Sequence, residues 1–589
     1  MSASLHQPPT MIRRVLLFGL AMAALISPLG VPTKSVAEGT EPLQATEIFD
    51  PAHLVEVSVE MKPADWKTLC AQTRDFMQAL GEHTIDKPFT YFPANVTIDG
   101  KTIQQVGVRK KGFLGSLDNS RPSLKIKFDE YVEQTPAVGF DRLTLNNNKQ
   151  DPSRLCQYLS YKLFNAAGTP ASRCNFARVT VNGDELGIYS NVECIKAPFL
   201  KDRYGDSSGA LYEGTITDFF PDSIDRFEVK NKHAQLESVR ALADLMDQET
   251  FTLEQVAAIL DIPAFVKFWA TESLIGFWDG YTNNQNNFFL YRDPSTSRLR
   301  FIPWGTDSAF TDTFPIAPFK IDTKSVQSQA VLANRLYRHP EIQTAYLTQM
   351  NELMDGLWGE ELLKEVDRAV ELIEPHLLPK NRGFRKRVTE IKSFILKRRA
   401  TIEKELETGV AKLTHGARRP ISFDRIGSAQ GTFATSWSEK TPPKPNEHGD
   451  VALEVVFGDE LMKFSKLGVS AEPNDDKNRR NADGQRPPTV VFRGRRETDE
   501  KAWMVKLEIP ESGFHPADEP VPVGGIVIEG NPLWFMAKMM LNRNPLGSLT
   551  LVSGSATFAE ASRAADAPVS GTVDLTFGKF QGGDHLPAR

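Results

Sequence analysis

The hydrophobic period changes twice along this chain, and that change limits the architectures open to it. Between residues 46 and 135 apolar residues alternate, in LVEVSVEM (54–61), YFPANVTIDG (91–100), VGVRKKGF (106–113) and SLKIKFDEY (123–131). A period of two puts one set of side chains on one face of a strand, so this stretch predicts β structure. From Leu236 to about Ala270 the spacing is helical, and from Gln327 to about Ala411 it is helical again and rich in Leu, Glu, Lys and Arg. Past residue 415 alternation returns in DVALEVVFG, PTVVFRGR, AWMVKLEIP, GGIVIEG, SLTLVSG and TVDLTFG, each bounded by turn formers, as in a sandwich or barrel. A chain of 589 residues is too long for one core. The expected class is α+β: a β-rich part at about 46–200, a helical part at about 201–415 and an all-β, sandwich-like domain over 416–589.

Local signals sharpen this outline. Asp99-Gly100 and Asn182-Gly183 are hairpin turns between alternating runs. In DPSRLCQYLSYKLFNAAG, Asp151 as N-cap, Pro152 at the first helical position and Gly168 as the stop predict a helix over 152–167. FFLYRD and LRFIPW are short strands joined by the turn Pro294–Ser297, and PNDDKNRRNADGQRPP is a polar loop.

Residues 1–38 read as a secretory signal. Arg13 and Arg14 precede an apolar run from Val15 to Leu29, and Ser35-Val36-Ala37 offers small residues for cleavage near Ala37, with Met11 as an alternative start. The run is shorter than the roughly 20 apolar residues of a spanning helix. The expectation is export to a periplasmic, extracellular or cell-surface location, with no stable membrane insertion after cleavage. A formal charge of -6 gives no reason to expect nucleic acid as a partner. Cys70, Cys156, Cys174 and Cys194 match no zinc spacing; Cys174 and Cys194 flank the predicted hairpin and form either a disulfide or two buried thiols.

The chemistry concentrates in FWDGYTNNQNNFFLYRD (277–293) and FIPWGTDSAF (301–310). Asp279 and Asp307 each stand where regular structure gives way to a loop, a place from which a scaffold aims polar groups into a cleft. One carboxylate to accept a proton, plus an Asn and a second Asp to hold a divalent cation, are the parts that phosphoryl transfer needs. Turn chemistry alone is the competing reading of so many Asn residues. An EF-hand is excluded: Asp279-Gly-Tyr-Thr-Asn-Asn lacks an oxygen ligand at its third position and Gly at its sixth. Arg109, Lys110, Lys111, Arg121, Lys125 and Lys127 form a basic cluster, read either as a phosphate cover or as a solvated face. Glu193 ends the hairpin strand as a lid or hinge candidate or a surface carboxylate. The 152–167 helix has no acidic residue beyond its cap, so it supplies no Lys–Glu pair of the ordinary kinase type. Neither H-E-x-x-H nor G-x-S-x-G occurs.

Five phrases in order, VTIDGKTIQQVGVRKKG, RPSLKIKFDEY, LTLNNNKQDPSRLCQYLSYKLFNAAGTPASRCNFARVTVNGDELGIYSNVE, WDGYTNNQNNFFLYRD and FIPWGTDSAF, resemble the spore-coat-protein-H (CotH) kinase family over roughly Ile48 to Leu413. The resemblance implies a two-lobed, atypical protein-kinase-like domain over 39–415, with 416–589 as an accessory β domain. It implies transfer of the ATP γ-phosphate to protein Ser or Thr with Mg2+ or Mn2+; the alternative is a kinase-like scaffold for coat or surface assembly. By position, Asp279 matches the catalytic Asp, Asp307 the metal-binding Asp, and Asn287, with Asn286 and Asn284 beside it, the metal-holding Asn. Lys111, Lys125, Lys127, Arg109 and Glu193 fall in the nucleotide-binding part. Trp278 stands where ordinary kinases carry Arg, Gly305-Thr306 precede Asp307, and Arg121-Pro122 stand where many family members have Lys.

Overall fold

A computed structural model of the chain describes residues 41–72, 89–113, 116–312, 324–356, 358–379, 381–441, 449–475, 485–517, 520–529 and 550–587. The expected signal segment and its cleavage position lie outside these residues. So does most of the polar loop within 474–488.

The alternating N-terminal runs are strands of a closed barrel. Its members are β1 (Leu54–Met61), β2 (Phe92–Ile98), β3 (Lys101–Lys111), β4 (Ser123–Lys127), β5 (Arg142–Asn146), β6 (Cys174–Val181) and β7 (Asp184–Val192), in the order β1-β2-β3-β4-β5-β7-β6. All pairings are antiparallel except β1 with β6, which closes the ring in parallel. Val55, Val57, Val59, Val96, Val108, Ile126, Leu143 and Val179 fill the interior. Such a barrel is a packed core, so any ligand must bind at its rim. Asp99 and Asn182 take positive φ with the glycines that follow them, as two-residue hairpin turns require.

One boundary differs from expectation. The helix predicted from Pro152 begins at Cys156 and runs to Ala166 (α1). Arg154 has φ +64, and its guanidinium donates to the carbonyls of Pro152 and Ile188, so residues 152–155 form a turn instead of a first helical turn. Asp151 spans that turn, accepting from the backbone N–H of Ser153 (3.0 Å) and of Cys156 (2.8 Å).

The helical body contains α2 (Glu237–Asp247), α3 (Ile262–Leu274), α4 (Pro340–Asp355), α5 (Glu360–Ile373) and α6 (Phe384–Leu406). It also holds a four-stranded sheet of β8 (Leu211–Gly214), β9 (Glu228–Val229), β10 (Phe288–Arg292) and β11 (Leu299–Pro303), in the order β9-β8-β10-β11. Helix α3 is apolar on nearly every face and buries Phe265, Phe268, Trp269 and Leu274, so it forms the centre of this body. No helix among the described residues is long and apolar enough to cross a membrane. All four cysteines are free thiols; Cys174 pairs across the hairpin with Val192, which leaves Cys194 two residues out of register with it.

The C-terminal strands are β12 (Ser422–Ser436), β13 (Asp450–Phe457), β14 (Glu460–Leu461), β15 (Phe464–Pro473), β16 (Pro488–Arg496), β17 (Ala502–Glu508), β18 (Val521–Glu529), β19 (Thr550–Glu560) and β20 (Pro568–Gln581). In place of the two facing sheets of the expected sandwich they form one antiparallel sheet, β14-β13-β12-β20-β19-β18-β17-β16-β15. The physical reason is that the long first and last strands, β12 and β20, pair along their whole length, so the meander has no break at which to split. Bridges Gly449↔Val469 and Trp437↔Ala471 bring the far edge back, and the sheet rolls into a barrel around Phe433, Phe492, Trp503, Phe558 and Phe577. The fold class is α+β with a β-rich C-terminal region. From Pro42 onward the chain belongs to one compact unit.

Candidate active site

The loop between α3 and β10 is built around one helical turn, Tyr281–Asn284. So short a helix leaves its first N–H groups unpaired. Glu272, fully buried on α3, accepts from the backbone N–H of Tyr281 (3.0 Å) and Thr282 (2.9 Å) and from the Thr282 hydroxyl (2.7 Å). A Cβ on residue 280 would lie 2.4 Å from Oε1 of Glu272, so Gly280 is what lets the loop reach that carboxylate. Tyr281 drops into the aromatic core, 4.7 and 4.8 Å from the rings of Phe288 and Phe301. Its hydroxyl donates to Asp218 (2.8 Å), which also accepts from Val331 N (2.7 Å) and Gln285 Nε2 (3.1 Å). Burial pushes Glu272 up to about 7 and Asp218 up to about 6 against these hydrogen bonds. Two buried carboxyl groups thus pin the loop from beneath.

Asp279, half-buried at the loop entrance, is gripped by three amides. Asn284 (2.7 Å) and Asn286 (3.1 Å) donate to Oδ1, and Asn287 donates to Oδ2 (2.9 Å) and to the main-chain carbonyl (2.9 Å). A carboxylate oxygen offers about two acceptor positions. Oδ1 is therefore filled, and Oδ2 keeps one position open. Because the amides are neutral, they orient the carboxylate without a cation's full pull on its proton affinity. Desolvation raises the Asp279 carboxyl, and the three amides oppose it.

With its NH2 committed to Asp279, Asn287 turns Oδ1 toward Gly305, where a Cβ would sit 2.4 Å away. Gly305 has φ +58 and opens the turn Thr306–Ser308 that carries Asp307. Its N–H donates to the Tyr161 hydroxyl of α1 (3.0 Å). Asp307 is buried and pushed up to about 7, first by desolvation and then by Asp279 and Asp151, while Lys111 and a hydrogen bond from Asn146 pull it back. Three carboxyl groups within electrostatic reach of one another carry charge that a cation would relieve. Among the described residues no group of three or more His, Cys, Asp or Glu forms a metal cage. The donors present, Asp307 and the Asn287 amide oxygen, fit a hard cation that completes its shell with water and phosphate oxygens.

Lys111 lies over the Trp304 ring at 5.7 Å and is pushed down to about 8, first by desolvation and next by Lys125. Lys125, across β4, is lowered mainly by desolvation. The fold brings Lys111 into electrostatic range of Asp307, with Lys125 beside Lys111. Other expected residues are engaged elsewhere. Lys127 is raised by its bond to Glu130 (2.8 Å), and Arg109 covers Tyr91 at 5.2 Å. Glu193 is buried between Arg173 and Arg203, the latter at 3.5 Å. Lys110 points to the opposite face, donating to Cys70 O (2.7 Å) and Asn119 Oδ1 (2.8 Å). Arg121 is spent on the carbonyls of Asn147, Leu186 and Ile188.

Several participants carry no local sequence signal. Lys196, pushed down to about 8 by desolvation, lies in the field of Lys230, Lys125 and Arg142. Glu213 pairs with Lys230 at 2.6 Å. Glu272, Asp218 and Asn146 support the loop and the turn from elements far away in the chain. An open cleft of about 560 Å³ borders Asp307, lined also by Gln150, Trp278, Lys386 and Arg387 among others.

Comparison with known proteins agrees with the sequence resemblance. The profile of the CotH kinase protein family matches residues 108–402, half of the chain. Invasin CotH3 of Rhizopus delemar is 25% identical over 245 residues, 36% of this chain and 40% of that protein. The inner spore coat protein H of Bacillus subtilis is 22% identical over 257 residues, 41% of this chain and 70% of that protein. The chain thus spans well under half the length of the Rhizopus relative. Among solved structures, the Helicobacter pylori proinflammatory kinase CtkA aligns over 51% of this chain and 93% of its own, with 9% identity and a TM-score of 0.27.

Proposed function

The chain belongs to the CotH kinase protein family, and from that premise we propose that it is an exported kinase that transfers the γ-phosphate of ATP to Ser or Thr hydroxyls of a protein. In this reading the N-terminal barrel and the helical body are the two lobes of an atypical kinase domain over 39–415. The observation that carries the proposal is the amide grip on Asp279, with Asp307 and Lys111 beside it.

The open position on Asp279 Oδ2 accepts the proton of the acceptor hydroxyl. The hydroxyl oxygen forms its bond to the γ-phosphorus as the bond from that phosphorus to the β-phosphate oxygen breaks, leaving ADP. Lys111 and Lys125 face the phosphates as they carry charge. Asp307 and Asn287 Oδ1 would hold a magnesium or manganese ion, which when bound neutralises the phosphates. The cleft beside Trp278 and Lys386 admits the acceptor segment. A surface or coat location accords with the signal-like residues 1–38 and with relatives named as invasins and a spore coat protein.

The test uses the full chain with labelled ATP, Mg2+ or Mn2+, and casein as a generic acceptor. Asp279→Ala should lower transfer by about 10²–10⁴-fold while leaving nucleotide affinity nearly intact. Asp307→Ala should lose metal-dependent nucleotide affinity, as should the parent chain in EDTA. Folded protein that neither binds nucleotide with metal nor transfers label would replace this reading with the assembly scaffold. Equal loss of nucleotide affinity in both variants would overturn the division of roles.

A further inference from the structure

The C-terminal barrel reaches the amides that hold Asp279. Its first and last strands continue past the barrel as a ladder: Gly416 N bonds Leu586 O (3.1 Å), Leu586 N bonds Ala417 O (2.8 Å), Arg419 N bonds Asp584 O (3.0 Å) and Gly583 N bonds Arg419 O (3.0 Å). Arg418 projects from this ladder and is buried with 1% exposure. Its guanidinium donates to the carbonyl of Asn283 (3.0 Å) and to Oδ1 of Asn284 (3.3 Å), and its N–H bonds Gln329 O (2.7 Å).

The chemistry of Asn284 makes that contact directional. Its amide lies between a guanidinium, which only donates, and a carboxylate, which here only accepts. Oxygen must therefore face Arg418, and NH2 must face Asp279, to which it donates at 2.7 Å. Without Arg418 only Asp279 constrains the amide, and the oxygen end loses its anchor.

A second contact reaches Asn286. Ile216 has φ +45, a conformation a β-branched residue rarely adopts. This turns its N–H onto Asn286 Oδ1 (3.3 Å), while its side chain packs in an apolar cluster with Phe423, Leu551 and Phe580 of the C-terminal barrel. Two of the three amides on Asp279 are thus braced by elements that the barrel holds.

We propose that the C-terminal barrel is a working part of the transfer site, with Arg418 a positioning residue that orients Asn284 and through it the carboxylate of Asp279. The effect on turnover rests on the kinase reading; the effect on the loop does not.

The test compares the full chain with Arg418→Met, Arg418→Lys, Asn284→Ala and the Arg418→Met/Asn284→Ala pair. Arg418→Met should lower kcat by about tenfold to a hundredfold, the loss expected for a misplaced catalytic group, with KM for ATP within about twofold. Arg418→Lys keeps charge and stem, should fold if the Met variant does not, and should recover part of the rate. Because Arg418 acts through Asn284, the double variant should be no slower than the slower single variant. Hydrogen exchange should quicken by about tenfold or more at residues 279–287 and stay unchanged in β1. Unchanged exchange in the loop, kcat within twofold, or additive losses would each overturn the proposal. If the parent chain transfers no phosphate, the kinase reading falls, and the exchange result alone upholds or overturns the positioning role.

Discussion

Asp307 faces Asp279 and Asp151, with Lys111 opposing them, and its carboxyl is pushed up to about 7. The folded state therefore binds this proton more tightly than the unfolded chain does. The carboxyl costs stability as pH rises from about 4 to about 7, and the full cost remains above 7. Asp307→Asn is accordingly expected to be more stable than the parent by about 1–3 kcal/mol at pH 8 in EDTA, with the gap shrinking by pH 5. Thermal melts at the two pH values check this; a destabilised variant at pH 8 would show that the carboxylate is already compensated. Asp279 and Asp307 are legible in the sequence because each sits inside an ordered phrase. The separate duties of Asn284, Asn286 and Asn287 are not, since which amide faces which oxygen depends on backbone turns such as the +55 φ of Asn287.

At the scale of elements, the turn Tyr281–Asn284 depends on a close approach more than on propensity. Its N–H groups end on Glu272 of α3, and Gly280 is the residue without which they could not. Gly280→Ala is expected to push the loop off that carboxylate, lowering stability by about 1–3 kcal/mol and transfer by at least about tenfold. Urea melts together with rate per folded molecule test it; a normal rate would mean that the loop finds another support. The strands and hairpins at Asp99-Gly100 and Asn182-Gly183 follow from period and turn chemistry. The start of α1 does not, because the tertiary bonds of Arg154 to the Ile188 carbonyl and to Asn381 hold residues 152–155 out of the helix.

For the whole molecule, the ladder of residues 416–419 with 583–586 and the cluster of Ile216, Phe423 and Phe580 join the C-terminal barrel to the helical body. Truncating Trp503, which is 1% exposed in the barrel core, to Ala should cost about 3–5 kcal/mol. If the joint is tight, the urea midpoints for loss of nucleotide binding and loss of strand circular dichroism should fall together. Nucleotide binding that persists after the strand signal is gone would sink that expectation. The α+β class, the order of strands and helices and the family could be read from the chain alone, as could the two phrases that carry Asp279 and Asp307, because period, turn residues and ordered phrases are local. What the folded chain adds is that the last strands form one rolled sheet, that Lys111 is the lysine acting on Asp307, and that Arg418 lies under Asn284. The pairings of β12 with β20, Lys111 with Asp307 and Arg418 with Asn284 each join residues more than a hundred positions apart, and burial and hydrogen-bond satisfaction select them only once the chain has closed on itself.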